Sequence, residues 1–246
     1  MTESQSVAES PDRAGLLVLG VDTCGPTGSV ALARVETGSV RIHGQTELAG
    51  RSYSATLVAA VRELLTAGNV KLGDLGVIVV VKGPGSFTGV RVGLSAVKGL
   101  AEPGQIPVVA VSRLAVLAAK AGVGAAALDA HRNEVFLRLG GEDARELLVG
   151  AEELSRVSKA SPFDRLRAGS GAPNLIAVCD DAAESLLAGA WPGANLVRTL
   201  APTAGDAIEL CVPAILTGEF DDLAALDGHY LRRSDAEIFG DTVQRA

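Results

Sequence analysis

The sequence predicts an α/β protein with two similar lobes, each opening with a β-β-β-α-β-α unit and facing the other across a cleft. Three observations predict it. Residues 16–22 form an apolar run ending in Asp22, then a turn and a second apolar run, and the pattern returns at 124–139 around Asp129. The apolar run at 77–81 feeds directly into GPGSFTG (83–89) and a helix-like segment. With 48% hydrophobic residues in 246, the chain can fill one large domain or two smaller ones. A repeated unit governs the choice of fold. A single doubly wound sheet is the competing architecture, and the meander that opens each half argues against it.

The elements follow in order. Residues 16–21 read as a strand, 23–28 (TCGPTG) as a turn, and 29–35 and 40–46 as two further strands. Residues 51–67 carry Tyr53, Leu57, Val61, Leu64 and Leu65 at helical spacing. The strand at 77–81 and the helix at 90–100 complete the first unit. The second unit has strands at 124–128, 134–139 and 145–149, a helix at 151–157, a strand at 175–179 and a helix at 182–190. A last helix at 204–216 precedes a tail containing Tyr230, Leu231, Arg232 and Arg233. The expected organisation is a disordered tail (1–14), an N-terminal lobe (15–112), a C-terminal lobe (113–225) and a C-terminal tail (226–246). Residues 158–173 (SKASPFDRLRAGSGAP) lack periodicity and read as an inserted surface loop or an ordinary long one.

Composition excludes several classes. A net charge of −7 weighs against sequence-independent nucleic-acid binding by the chain as a whole. Cys24, Cys179 and Cys211 are scattered, with no C-x-x-C, as expected for reduced thiols in a cytosolic protein. Residues 1–15 hold Glu3, Glu9 and Asp12 and no apolar core, so they do not read as a signal peptide. No apolar run reaches the roughly 18 residues of a membrane span.

GPGSFTG is the most informative stretch. A strand entering a glycine turn that opens a helix aims backbone N–H groups at one point, where the helix dipole adds about half a positive charge. Gly83 and Gly85 can take unusual backbone angles, and Pro84 stiffens the turn. No standard motif fits. Val90 and Arg91 follow Gly89 where a P-loop needs Lys and Ser or Thr; Thr88 replaces the third glycine of a dinucleotide fingerprint; and Pro84 precedes Ser86 where a nucleophile elbow needs Gly. The loop is either a strand-to-helix turn or an anion cradle using Gly83, Gly85, Ser86 and Thr88.

Catalytic constellations are hard to find. The histidines His43, His131 and His229 include no i, i+4 pair, so a histidine-pair metal site of the metallopeptidase kind is not expected. Nothing in the sequence positions a Ser or Cys against His and an acid. Both long helices of the first unit are apolar around much of their circumference, and the one at 51–67 is rich in small residues, with Ala55, Ala59 and Ala60. That pattern fits a helical interface, burial inside the lobe, or both.

Four segments together carry a resemblance: DTCGPTGSVAL (22–32), VKGPGSFTGVRVG (81–93), LDAHRNEVF (128–136) and HYLRR (229–233). In order and spacing they resemble the TsaB (YeaZ) family across nearly the whole chain. Tyr53-Ser54 stands where the family often has His-Ser, His131 where it usually has Arg, and the 158–173 loop is atypical. The resemblance implies an actin-like, sugar-kinase-like (ASKHA) duplicated α/β fold. It implies a non-catalytic, cytoplasmic subunit that binds and activates TsaD for threonylcarbamoyl transfer to the tRNA adenosine next to the anticodon. TsaE would dock on the pair, and tRNA would be met through the complex. The family pairs through the two long helices in a four-helix bundle, with TsaD or with itself, which implies a partner face of Tyr53, Leu57, Val61, Leu64, Val90, Arg91, Leu94 and Val97. No cofactor is expected on this chain, ATP or ADP being placed at the subunit junction. Asp22 and Thr23 are candidate nucleotide contacts, because an Asp here lies near phosphates in active members of the superfamily; an Asx turn is the alternative. An ATP-dependent kinase or ATPase is the competing function, and it lacks a second nucleotide loop in the C-terminal half.

Overall fold

The computed structural model describes residues 15–140, 144–160 and 175–232. The expected tail at 1–14, most of the 158–173 loop and the segment from 233 onward lie outside the described residues.

Two five-stranded sheets form. The first half contributes β1 (Leu16–Asp22), β2 (Thr27–Glu36), β3 (Ser39–Ala49), α1 (Tyr53–Ala67), β4 (Val77–Val81), α2 (Phe87–Ala101), β5 (Val108–Val111) and α3 (Arg113–Lys120). The second contributes β6 (Ala125–Asp129), β7 (Glu134–Leu139), β8 (Arg145–Gly150), α4 (Ala151–Ala160), β9 (Leu175–Val178), α5 (Asp181–Ala190), β10 (Asn195–Arg198) and α6 (Ala204–Thr217). The strand orders are β3-β2-β1-β4-β5 and β10-β9-β6-β7-β8, the same topology twice. In each sheet an antiparallel meander joins two parallel strands, with β1 and β6 as the pivots. Two separate sheets exclude the doubly wound alternative. The first half continues by one more strand and helix than its sequence pattern predicts, and the second by one more strand, β10, before the expected last helix. β5 and β10 have four residues each, too few to show a period.

β1 and β4 are buried on both faces, as their unbroken apolar runs require. α1 and α2 cover one face of the first sheet. The other face is covered by α6, whose Ala204, Ala207, Ile208 and Cys211 join the core of Val18, Leu19 and Val30. α3, the last element of the first half, packs instead on the second sheet, with Leu114 and Leu117 against Ala126, Leu128 and Phe136. The halves thus exchange their final helices. The expected boundary between Ser112 and Arg113 falls at the start of α3, while α6, expected in the C-terminal lobe, completes the N-terminal one. Lys120 of α3 and Asp206 of α6 pair at 2.7 Å where the exchanged helices meet. Among the described residues no helix is long and apolar enough to cross a membrane.

Candidate functional site

The glycine loop closes on the turn after β1, not on open space. Ser86 N donates to the Cys24 carbonyl at 2.7 Å, Thr23 Oγ1 donates to the Gly89 carbonyl at 2.7 Å, and Cys24 Sγ lies 3.1 Å from the Val81 carbonyl. A Cβ at Gly85 would collide with the Cys24 carbonyl, one at Gly89 with the Thr23 carbonyl, and one at Gly93 with Thr23 Oγ1. Gly83, at φ +104°, takes a conformation that other residues rarely adopt. The glycines therefore serve close backbone approach. Ser86 also caps α2, its Oγ accepting from Gly89 N at 3.2 Å.

Asp22 is 0% exposed, and its Oδ1 accepts from Cys24 N at 2.8 Å in an Asx turn. Its Oδ2 faces Arg113 Nε at 3.6 Å. Arg113 is itself buried at the start of α3, where its backbone N donates to the Gly83 carbonyl. Asp22 and Thr23 therefore do not reach solvent, and the Asx turn weighed beside a nucleotide contact is present. Of the anion candidates, Gly83 is buried, Gly85 is partly buried, and only Ser86 and Thr88 are exposed. Burial, then the Asp22 carboxylate, pushes the Cys24 thiol well up and the Tyr53 phenol to about 12. Neither is prepared as a nucleophile at neutral pH. Asp129 makes an equivalent turn, accepting from His131 N at 2.8 Å.

The helix face divides between core and surface. Tyr53, Leu57, Val61, Leu64, Val90, Leu94 and Val97 all lie in the first core; of the expected partner residues only Arg91 is exposed. Helical spacing found the stripe that faces the helix's own sheet. The outward face shares Tyr53, Leu57 and Arg91 with the expected set and adds residues outside it. Tyr53, Ser54, Leu57, Val58, Arg91, Val92, Ser95 and Ala96 border a groove of about 320 Å³ between α1 and α2. Val58 is 57% exposed, a large apolar side chain without cover. Its signal in the sequence was an apolar residue off the main stripe.

The tail ties both lobes together. His229 N donates to the Lys82 carbonyl at 2.7 Å, and His229 Nε2 lies 2.8 Å from Glu146 Oε2. Ser112 Oγ donates to Glu146, as does Arg138 Nη1, each at 2.7 Å. Burial raises the Glu146 carboxyl, but hydrogen bonds from His229, Ser112 and Arg138 outweigh it and hold the group lower than usual. The carboxylate stands between Ser112 and His229, so the hydroxyl meets a carboxylate and not the imidazole, which is not the Ser–His–acid order of a nucleophilic triad. Sequence reasoning missed this cluster, because its members come from three distant segments: Ser112, the β7–β8 hairpin with Arg138 and Glu146, and His229. Tyr230 packs on Phe87 with ring centroids 4.8 Å apart, and Arg232 pairs with Glu134. Among the described residues, no three His, Cys, Asp or Glu side chains gather to hold a metal ion.

Residues 39–161 match the family model described as TsaD: tRNA N6-adenosine threonylcarbamoyltransferase. The tRNA threonylcarbamoyladenosine biosynthesis protein TsaB of Escherichia coli K12 is 32% identical over 160 residues, which are 63% of this chain and 68% of that protein. The chain belongs to the TsaB family. The Bacillus subtilis TsaB is 37% identical over 128 residues, and the match spans only 55% of that protein. Among solved structures, YeaZ from Pseudomonas aeruginosa superposes with a TM-score of 0.67 at 30% identity, covering 88% of this chain and 100% of that one. A second structure, described as having similarity to the peptidase YEAZ of that organism, gives 0.69 at the same identity and coverage. The duplicated α/β fold expected from the sequence agrees with the two matching sheets.

Proposed function

We propose that this chain is a non-catalytic subunit in the synthesis of threonylcarbamoyladenosine in tRNA. It binds TsaD through the outer face of α1 and α2 and holds it in a form competent for threonylcarbamoyl transfer. The reading rests on the α1–α2 groove with uncovered Val58 at its edge. Family membership supports the pathway. The match of residues 39–161 to the TsaD model supports the partner, since two chains of like build can pair through like helices about a pseudo-twofold axis. TsaE docks on the assembled pair in the cytoplasm. ATP or ADP, where used, belongs at the subunit junction, and tRNA is met through the complex. The burial of Asp22 against Arg113 favours this reading over the kinase or ATPase alternative.

Val58→Asp tests the reading. The side chain is exposed, so the variant folds as the wild type does, while its binding to TsaD weakens by about 100-fold and tRNA modification by the reconstituted complex falls with it. Unchanged affinity would rule the face out. A variant that binds TsaD normally but loses a self-association present in the wild type would assign the face to a homodimer. Leu94→Glu cannot serve here: Leu94 is 5% exposed, and a buried carboxylate there would unfold the lobe.

A further inference from the structure

We infer that a cavity beside α2 receives an acidic segment of the subunit seated on the α1–α2 face, with its carboxylates paired to Arg91 and Lys98. This rests on the proposed seating of TsaD and adds what the neighbouring cavity takes. The cavity, of about 470 Å³, lies between α2 and the tail, with Leu94, Leu226 and Tyr230 on its apolar side.

Its cations are unequally committed. Arg232 is paired with Glu134. Arg91 and Lys98, two turns apart on one face of α2, have no carboxylate partner among the described residues. Elsewhere the chain pairs its inward cations readily, as in Lys120 with Asp206 and Arg138 with Glu146. Arg91, Lys98 and Arg232 outnumber Asp227, the one carboxylate residue lining the cavity, whose Oδ1 accepts from Gly228 N. Lys98 alone would suit the last turn of a helix, but Arg91 sits in the second turn, where the dipole gives a cation no support.

Arg91 is also held in place. Its guanidinium stacks 3.8 Å from the Phe87 ring centre, with the Tyr230 ring at 5.8 Å. Stacking uses the guanidinium face and leaves its in-plane N–H edge free for a bidentate carboxylate. Continuity chooses the occupant. Arg91 and Ser95 border both this cavity and the groove beside Val58, so a subunit covering the groove reaches the cavity mouth. Covering it excludes water and strengthens each pair.

The experiment is calorimetric titration of the full chain with TsaD at about 0.05 M and about 1 M salt. Arg91→Gln/Lys98→Gln is expected to weaken binding at least about tenfold at low salt, the difference shrinking to within about threefold at high salt. Circular dichroism and thermal melting confirm that the variant is folded. An affinity equal to wild type at both salts overturns the inference. So does saturable binding of inorganic triphosphate to the free chain that the double variant loses while keeping its TsaD affinity; that result gives the cavity to a small anion. Val58→Asp separates the two claims. If it abolishes binding and the double variant does not weaken it, the cavity inference fails and the seating stands. If only the double variant weakens binding, the seating fails and the cavity remains a contact for an acidic segment.

Discussion

Arg113 Nε lies 3.6 Å from Asp22 Oδ2, and both side chains are buried. Asp22 ends the central strand of the first sheet, and Arg113 opens the helix that packs on the second. The pair therefore joins the two lobes. Gly25 leaves the room, since a Cβ there would collide with the Arg113 guanidinium.

Removing one partner strands the other. Arg113→Leu should cost about 3–5 kcal/mol by leaving a buried carboxylate uncompensated. Asp22→Asn with Arg113→Leu should recover much of that, because the remaining group is neutral. Urea unfolding of the three proteins checks it; a single-variant cost below about 1 kcal/mol would show that the pair does not hold the lobes.

Two glycines of α2 should respond with opposite sign. Gly to Ala inside a helix ordinarily gains up to about 1 kcal/mol. At Gly99 nothing lies within 4 Å of the new Cβ, so Gly99→Ala should raise Tm by roughly 1–4 °C. At Gly89 the Cβ meets the Thr23 carbonyl, a backbone atom that cannot move aside. Gly89→Ala should lower Tm by roughly 4–8 °C. Equal shifts in calorimetry would show that the glycine loop does not need close approach.

Glu146 sets a pH dependence. Its carboxyl is held below the usual range in the folded chain, so it contributes stability above its unfolded pKa and loses it as pH falls through the folded value. Glu146→Gln should cost roughly 1–3 kcal/mol near neutrality. The gap to wild type should close as pH drops below the ordinary glutamate range. Urea midpoints between about pH 7 and about pH 3 measure it. A gap independent of pH would mean that the side chain acts by packing alone.

Much of this protein is legible in its residues. The apolar runs ending in Asp22 and Asp129 mark the pivots of two like sheets, because a strand buried on both faces must be apolar throughout. The glycine loop, its helix and the family follow from short contiguous patterns. What the residues do not carry is which surface covers which. α2 is apolar around most of its circumference, and the spacing that picked Leu94 and Val97 as partner contacts reports only that they are buried, not against what. The exposed edge at Val58 became visible once the sheet had claimed the other side. The exchange of α3 and α6 and the meeting of Asp22 with Arg113 depend on contacts between residues far apart in sequence. Local periodicity records how much of an element must be covered; only the packing of distant segments decides what covers it, and so which few side chains remain for a partner.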